Sequence, residues 1–202
     1  MFQDFDRLIG TKGGIYLCMM AIIGGGPAGG SAAIYTAKAG KKTIIIDSDQ
    51  GVTKRALLYN HYGVVEITGP DLVAVGLNQA KHFGAEVAET KVTSITKHAE
   101  GFTLATENGE FEAKQIILAT GFLTDLADSL GLATKPGTEP RVKTIFDVDA
   151  AGKTNVEGVW ATGTCAGFSV HTIITAGDGA KVAINLISEL NGERYVDHDV
   201  LK

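Results

Sequence analysis

Unbroken apolar runs alternate with amphipathic segments along this chain, and their spacing predicts an alternating β/α order. Residues 15–23 are apolar at nearly every position and of strand length, as expected of a central parallel strand buried on both faces. A glycine-rich turn follows, then a helix over 27–39 with Gly40 as its stop. Residues 42–47 read as a second buried strand. The connection 48–69 is long enough to suggest function. Pro70 marks a helix start, and that helix runs to residue 83 before Gly84.

From 85 onward the period shifts to two. A short strand over 85–89 precedes strands over 93–98, 102–106 and 110–113, which alternate across the Glu100-Gly101 and Asn108-Gly109 turns. These form a β-meander laid on the main sheet. Residues 115–118 return to a buried strand that ends in Ala119-Thr120-Gly121, and 122–157 is a polar stretch with a short helix around 124–130. A further buried strand, 159–161, closes on a second Ala-Thr-Gly at 161–163, and a last helix spans 172–190 before Asn191-Gly192. This order predicts an α/β fold of three layers, with a parallel central sheet, helices on one face and the meander on the other. Residues 1–14 lack apolar periodicity and read as an N-terminal extension, leaving 15–202 as a single domain.

The sharpest chemical signal is Gly24-Gly25-Gly26-Pro27-Ala28-Gly29. In a dinucleotide-binding βαβ unit the first glycine permits the tight turn, and the second lets backbone approach a pyrophosphate. The third lets the helix pack closely on its strand. The helix N-terminus offers free N–H groups and partial positive charge to the phosphates. A lone GxGxxG is weak evidence, but this one follows an apolar strand and opens a helix. Asp47 closes the next strand about 20 residues on, the place of the acid that takes the ribose hydroxyls. That carboxylate would repel a 2′-phosphate, which disfavours NADP here. The motif alone leaves FAD and NAD both open, with Ser48 and Arg55 as further candidates just past the strand.

Several segments together resemble the thioredoxin-reductase-like flavoproteins. The glycine motif with Ala33, Tyr35 and Ala37 behind it resembles their opening. Tyr59-Asn60-His61-Tyr62-Gly63 echoes their Asn-Tyr-Pro-Gly segment, and the helix from Gly69-Pro70-Asp71-Leu72 to His82-Phe83-Gly84 is also similar. Ile117 to Gly121 and Gly158 to Gly163 resemble the paired Ala-Thr-Gly strand ends, and Thr175-Ala176-Gly177-Asp178-Gly179-Ala180 the terminal flavin helix. The likeness runs in order over about 15–195. It implies an FAD/NAD(P)-binding Rossmann-like fold, FAD as cofactor, and a homodimer. Gly24, Gly26, Pro27, Ala28, Gly29, Asp47 and Ser48 would then serve the ADP half, and Arg55 would meet a phosphate or the flavin edge, or else stand as a solvated charge beside Lys54. Asn60, Ala119, Thr120, Gly121, Gly163, Thr164, His171, Thr172 and Ile173 would serve the flavin half.

Departures from that pattern bear on mechanism. Thr164 stands where the family usually has an aspartate near the ribityl-phosphate end. Only about 40 residues separate the two Ala-Thr-Gly segments, where full-length reductases insert an NADPH domain and a redox C-x-x-C. The chain thus resembles the small, FAD-domain-only members. Dithiol relay is closed to it, so electrons would enter from free NAD(P)H or from a redox partner protein. His171 falls where these enzymes commonly place a glutamine near the flavin. Its imidazole would raise the flavin potential, or else it caps the helix at the surface. Cys165 beside the same loop invites a redox reading, but with no resolving cysteine nearby in sequence it reads as a small buried residue. No catalytic residue is otherwise assigned.

Composition narrows the rest. Glycine is enriched, 26 of 202 residues against about 7% in ordinary proteins, and it clusters at strand-to-helix junctions. A net charge of −5 without a basic cluster argues against nucleic acid. The two cysteines and five histidines show no metal spacing. No run is long enough to span a membrane, and a cytoplasmic location is the default. The reading is therefore an FAD-binding oxidoreductase. Its rivals are a non-catalytic FAD-binding subunit that needs a partner, and an NAD-binding protein.

Overall fold

The computed structural model describes residues 16–201, so the extension read over 1–14 lies outside the described residues. β1 (Tyr16–Ile23) runs into α1 (Pro27–Lys38), and β2 (Thr43–Asp47) follows. A 3-10 turn at Val52–Arg55 and the short pair β3 (Leu57–Leu58) and β4 (Ile67–Thr68) give the long connection its structure before α2 (Gly69–His82). Then come β5 (Glu86–Glu89), β6 (Val92–His98), β7 (Gly101–Thr106) and β8 (Gly109–Leu118). α3 (Ala127–Leu130), the antiparallel pair β9 (Thr134–Pro136) and β10 (Thr144–Phe146), and β11 (Val159–Ala161) precede a second 3-10 turn, Gly163–Ala166. α4 (Thr172–Asn191) is the last element.

The main sheet has the order β5-β2-β1-β8-β7-β6, with β11 also on β8. β5, β2, β1, β8 and β11 are parallel, and β6, β7 and β8 are antiparallel. β8 is the pivot. Its first half pairs with β7 and its second half with β11, while β1 holds nearly its whole other edge. The sequence reading divided this strand in two at Lys114. Instead one ten-residue strand serves both the meander and the parallel sheet.

The two faces are packed differently. Met20, Ile22, Ile45 and Ile117 face α1, α2 and α4 through Ala32, Ala33, Ala80, Val182 and Leu186. Ala21, Ile23, Ile44, Ile46, Ile116 and Leu118 face the meander residues Ile95, Phe102 and Leu104. This is the three-layer α/β arrangement. The stretch 122–157, read as polar, also contributes buried anchors: Leu126, Leu132, Ile145 and Phe146 close the meander side. Their irregular spacing hid them. A glycine on α4 lets that helix approach α1 closely, since a Cβ on Gly179 would lie 2.1 Å from the Ala28 carbonyl oxygen.

Strands parallel to β1 lie on both of its sides, β2 reached through α1 and β8 from later in the chain. That is a topological switch point, and the crevice at the C-terminal strand ends there is where open α/β sheets take ligands.

Candidate functional site

A cleft of about 380 Å³ opens at that switch point, within the range of small-molecule and cofactor pockets. Its floor is the turn after β1. Gly24 has φ +105°, and a Cβ there would meet the Ala119 carbonyl oxygen at 2.4 Å. A Cβ on Gly29 would fall 1.9 Å from the Gly24 carbonyl oxygen, so α1 is seated directly on the turn. Gly26 differs: nothing lies within 4 Å of its added Cβ, which leaves open space in front of the backbone. Gly26 is the α1 N-cap and no side chain caps that helix. The same is true of α4, whose N-cap is His171. By contrast, surface helix α2 is capped conventionally, Thr68 Oγ1 accepting from Asp71 N at 3.2 Å.

Asp47 closes β2 at one end of the cleft, its carboxylate folded over Gly25. Beside it, Thr90 N donates to the Asp47 carbonyl at 3.0 Å, because β5 runs parallel to β2 and ends at the same edge. Thr90, Lys91 and Val92 therefore line the cleft. Thr90 Oγ1 is buried without a partner among the described residues, and a buried hydroxyl left so costs free energy until something pairs with it. The sequence reading missed this trio. The available signal was that the strand following β2 in a parallel sheet must also end at the ligand edge.

Of the residues singled out from sequence, the structure brings Gly24, Gly26, Pro27, Ala28, Asp47, Ser48, Ala119, Thr120, Gly121 and Thr164 together around the cleft. Gly29 and Gly163 stand just behind it, Gly163 with φ +73° and its Cβ position 2.8 Å from the Ala28 side chain. Arg55 and Asn60 are exposed and do not line it. Thr172 is buried and its Oγ1 lies 2.9 Å from His61 Nδ1, which ties the 57–66 loop to the start of α4. Ile173 is 39% exposed. His171 is exposed, and its Nδ1 pairs with Ser169 Oγ at 2.8 Å. Tyr62 is 92% exposed. Thr162 and Thr175, which belong to the second Ala-Thr-Gly end and the last-helix motif but were not singled out as site residues, line the cleft, as does Val170.

Cys165 lies at this end but is fully buried, its thiol donating toward the Thr162 and Leu118 carbonyls at 3.2 and 3.4 Å. Burial pushes the thiol above its ordinary value, against the pull of neighbouring hydrogen bonds, so it is held as a thiol and not a thiolate. Among the described residues no helix is long and apolar enough to cross a membrane.

The donor set suits a dinucleotide flavin. An uncapped helix N-terminus with clear space before Gly26 fits a diphosphate, Asp47 and Thr90 fit the adenosine end, and the two Ala-Thr-Gly ends with the start of α4 offer a second, apolar and hydroxyl-lined compartment.

A family model described as pyridine nucleotide-disulphide oxidoreductase matches residues 19–144 and 78–181. Thioredoxin reductase of Peptoclostridium acidaminophilum is 38% identical over 116 residues, 55% of this chain and 37% of that protein. The thioredoxin reductase of Aquifex aeolicus is 41% identical over 107 residues, 50% and 32% respectively. The matched region thus spans about a third of these relatives' length. Among solved structures, the atypical thioredoxin reductase TRi from Desulfovibrio vulgaris Hildenborough superposes with a TM-score of 0.77 at 21% identity, covering 87% of this chain and 99% of that one. A thioredoxin reductase from Gloeobacter violaceus gives 0.77 at 19% identity, covering 93% and 99%. At such identities these two likenesses speak for the fold.

Proposed function

The chain belongs to the pyridine nucleotide-disulphide oxidoreductase family, and from that premise we propose that its cleft binds FAD and that the protein is a flavin-dependent oxidoreductase of the thioredoxin-reductase-like group. The observation that carries this reading is the open backbone cradle at Gly26, set between the uncapped start of α1 and the carboxylate of Asp47. The first-turn N–H groups of α1 would bind the diphosphate, and Asp47 the ribose hydroxyls. Thr164 and Thr175 would line the flavin end with hydroxyls, and the N-terminus of α4 would place its partial positive charge toward that compartment. When bound, the flavin supplies two-electron chemistry, and the protein supplies position, electrostatics and exclusion of water.

One observation favours a second reading on the side of partnership. Between Gly121 and Val159 the chain has α3, the β9–β10 pair and their loops, and no second glycine motif or C-x-x-C. On that reading the FAD-loaded protein is a redox unit whose reductant comes from a partner protein in place of free NAD(P)H.

Anaerobic mixing of the FAD-loaded protein with NADH and with NADPH tests this. Bleaching of the flavin absorbance by either nucleotide is the expected result for the oxidoreductase. Flavin that is bound yet stays oxidised with both selects the partner-dependent unit. A chain that retains no flavin refutes the proposal.

A further inference from the structure

Among the described residues Asp178 is the only Asp, Glu, Lys, Arg or His in the buried class, at 5% exposure. It sits in the second turn of α4 and does not line the cleft. Its Oδ2 accepts two hydrogen bonds, from Thr162 Oγ1 at 2.7 Å and from Gly163 N at 2.8 Å. Its Oδ1 lies 2.7 Å from Lys181 Nζ, and that ammonium stands 4.5 Å over the Phe168 ring.

Taking a carboxylate out of water costs several kcal/mol before its partners repay it, and an apolar residue often does better for stability alone. Stability is therefore a poor explanation for this acid. What the carboxylate fixes is specific. Thr162 and Thr164 line the cleft, with Gly163 between them in a left-handed conformation against Ala28. Thr175, one turn earlier on α4, lines the cleft too. The two bonds to Oδ2 thus lock α4 and the turn after β11 together, and these two elements carry the hydroxyls of the flavin compartment. The adenosine end, built from Gly24 to Ala28, Asp47 and Thr90 to Val92, has no hydrogen bond to Asp178 among those described.

We infer that Asp178 is a positioning residue for the flavin half of the site, acting through the Thr162–Gly163–Thr164 turn and not by touching the cofactor. This rests on the FAD reading above. It predicts that disturbing Asp178 weakens FAD selectively and spares ligands that use the adenosine end alone.

The test is to measure dissociation constants for FAD and for ADP in the wild type, Asp178→Ala, Asp178→Asn and Thr162→Val. Asp178→Ala strands two buried donors, so FAD should weaken about tenfold or more while ADP stays within about twofold. An asparagine carbonyl can accept from both donors at the Oδ2 position, so Asp178→Asn should recover FAD binding to within about threefold of wild type. Thr162→Val removes one donor and should weaken FAD in the same direction; it decides the matter if Asp178→Ala does not fold. Equal weakening of FAD and ADP, no weakening of either, or an Asp178→Asn as impaired as Asp178→Ala overturns the inference and leaves the FAD reading standing. A wild type that binds ADP but not FAD removes the FAD reading, and the inference falls with it.

Discussion

Glycines at the β1–α1 junction are required for different physical reasons, and substitution separates Gly26 from Gly29. Gly26 faces open space, so Gly26→Leu should fold nearly as well as wild type yet fill the diphosphate cradle and abolish dinucleotide binding. Gly29→Ala places a methyl group against backbone that cannot yield, and overpacking of this kind costs about 1–3 kcal/mol or more. Thermal denaturation of the apo-proteins alongside FAD titration checks the pair: Gly26→Leu loses binding at an unchanged melting temperature, and Gly29→Ala loses both. The buried thiols make a separate prediction. Desolvation pushes Cys18 up from 9.0 to about 12, so it stays protonated in the native state while the unfolded chain ionises above 9.0. Its contribution to stability is complete below that value and declines as pH rises toward 12, by about 1–2 kcal/mol at about pH 10. Urea unfolding at about pH 8 and pH 10 should show this decline shrink in Cys18→Ala. An identical decline in both proteins would contradict it.

At the scale of elements, the strand-to-helix junctions were the most legible part of the sequence, because glycine and the apolar runs mark them directly. β1, α1, β2, α2 and α4 fall within a residue or two of their expected bounds. The expected break in β8 has a physical origin. Met19 N and Met20 N both bond to the Lys42 carbonyl at 3.0 Å, and the alternation slips in both strands: Cys18 and Met20, two apart, pack on opposite faces, while Ala113 and Ile116, three apart, share one. A matched irregularity in two paired strands interrupts the alternation without ending either strand, and alternation is all a single sequence offers. The role of Asp178 was equally hidden, since a charge inside a small-residue helix looks solvated until the helix packs. The α1–α4 contact carries its own test. Gly179→Ala would press a methyl group onto the Ala28 carbonyl and push apart the two helices that open at the cleft. We expect a lower melting temperature together with weaker FAD binding, read by calorimetry with and without cofactor; unchanged affinity would show that the helix crossing does not shape the site.

For the whole molecule, the fold follows from one topological fact. β1 has parallel neighbours on both sides, so the strand ends and the start of α1 converge on a crevice while the meander and 126–146 close the other face. About ten residues singled out from sequence meet at that crevice, while Arg55, Asn60 and His171 are exposed and do not line it, although Val52, Thr53 and Val170 beside them do. Motif spacing places backbone reliably, but it does not say which way a loop side chain turns. The function proposed for this crevice is to hold FAD by its ADP half on the Gly26 cradle. It is tested most directly by titrating the purified chain with FAD and then displacing the flavin with ADP. Saturation at one FAD per chain, with release competitive in ADP, is the predicted result; no saturable binding, or bound flavin indifferent to ADP, would contradict it.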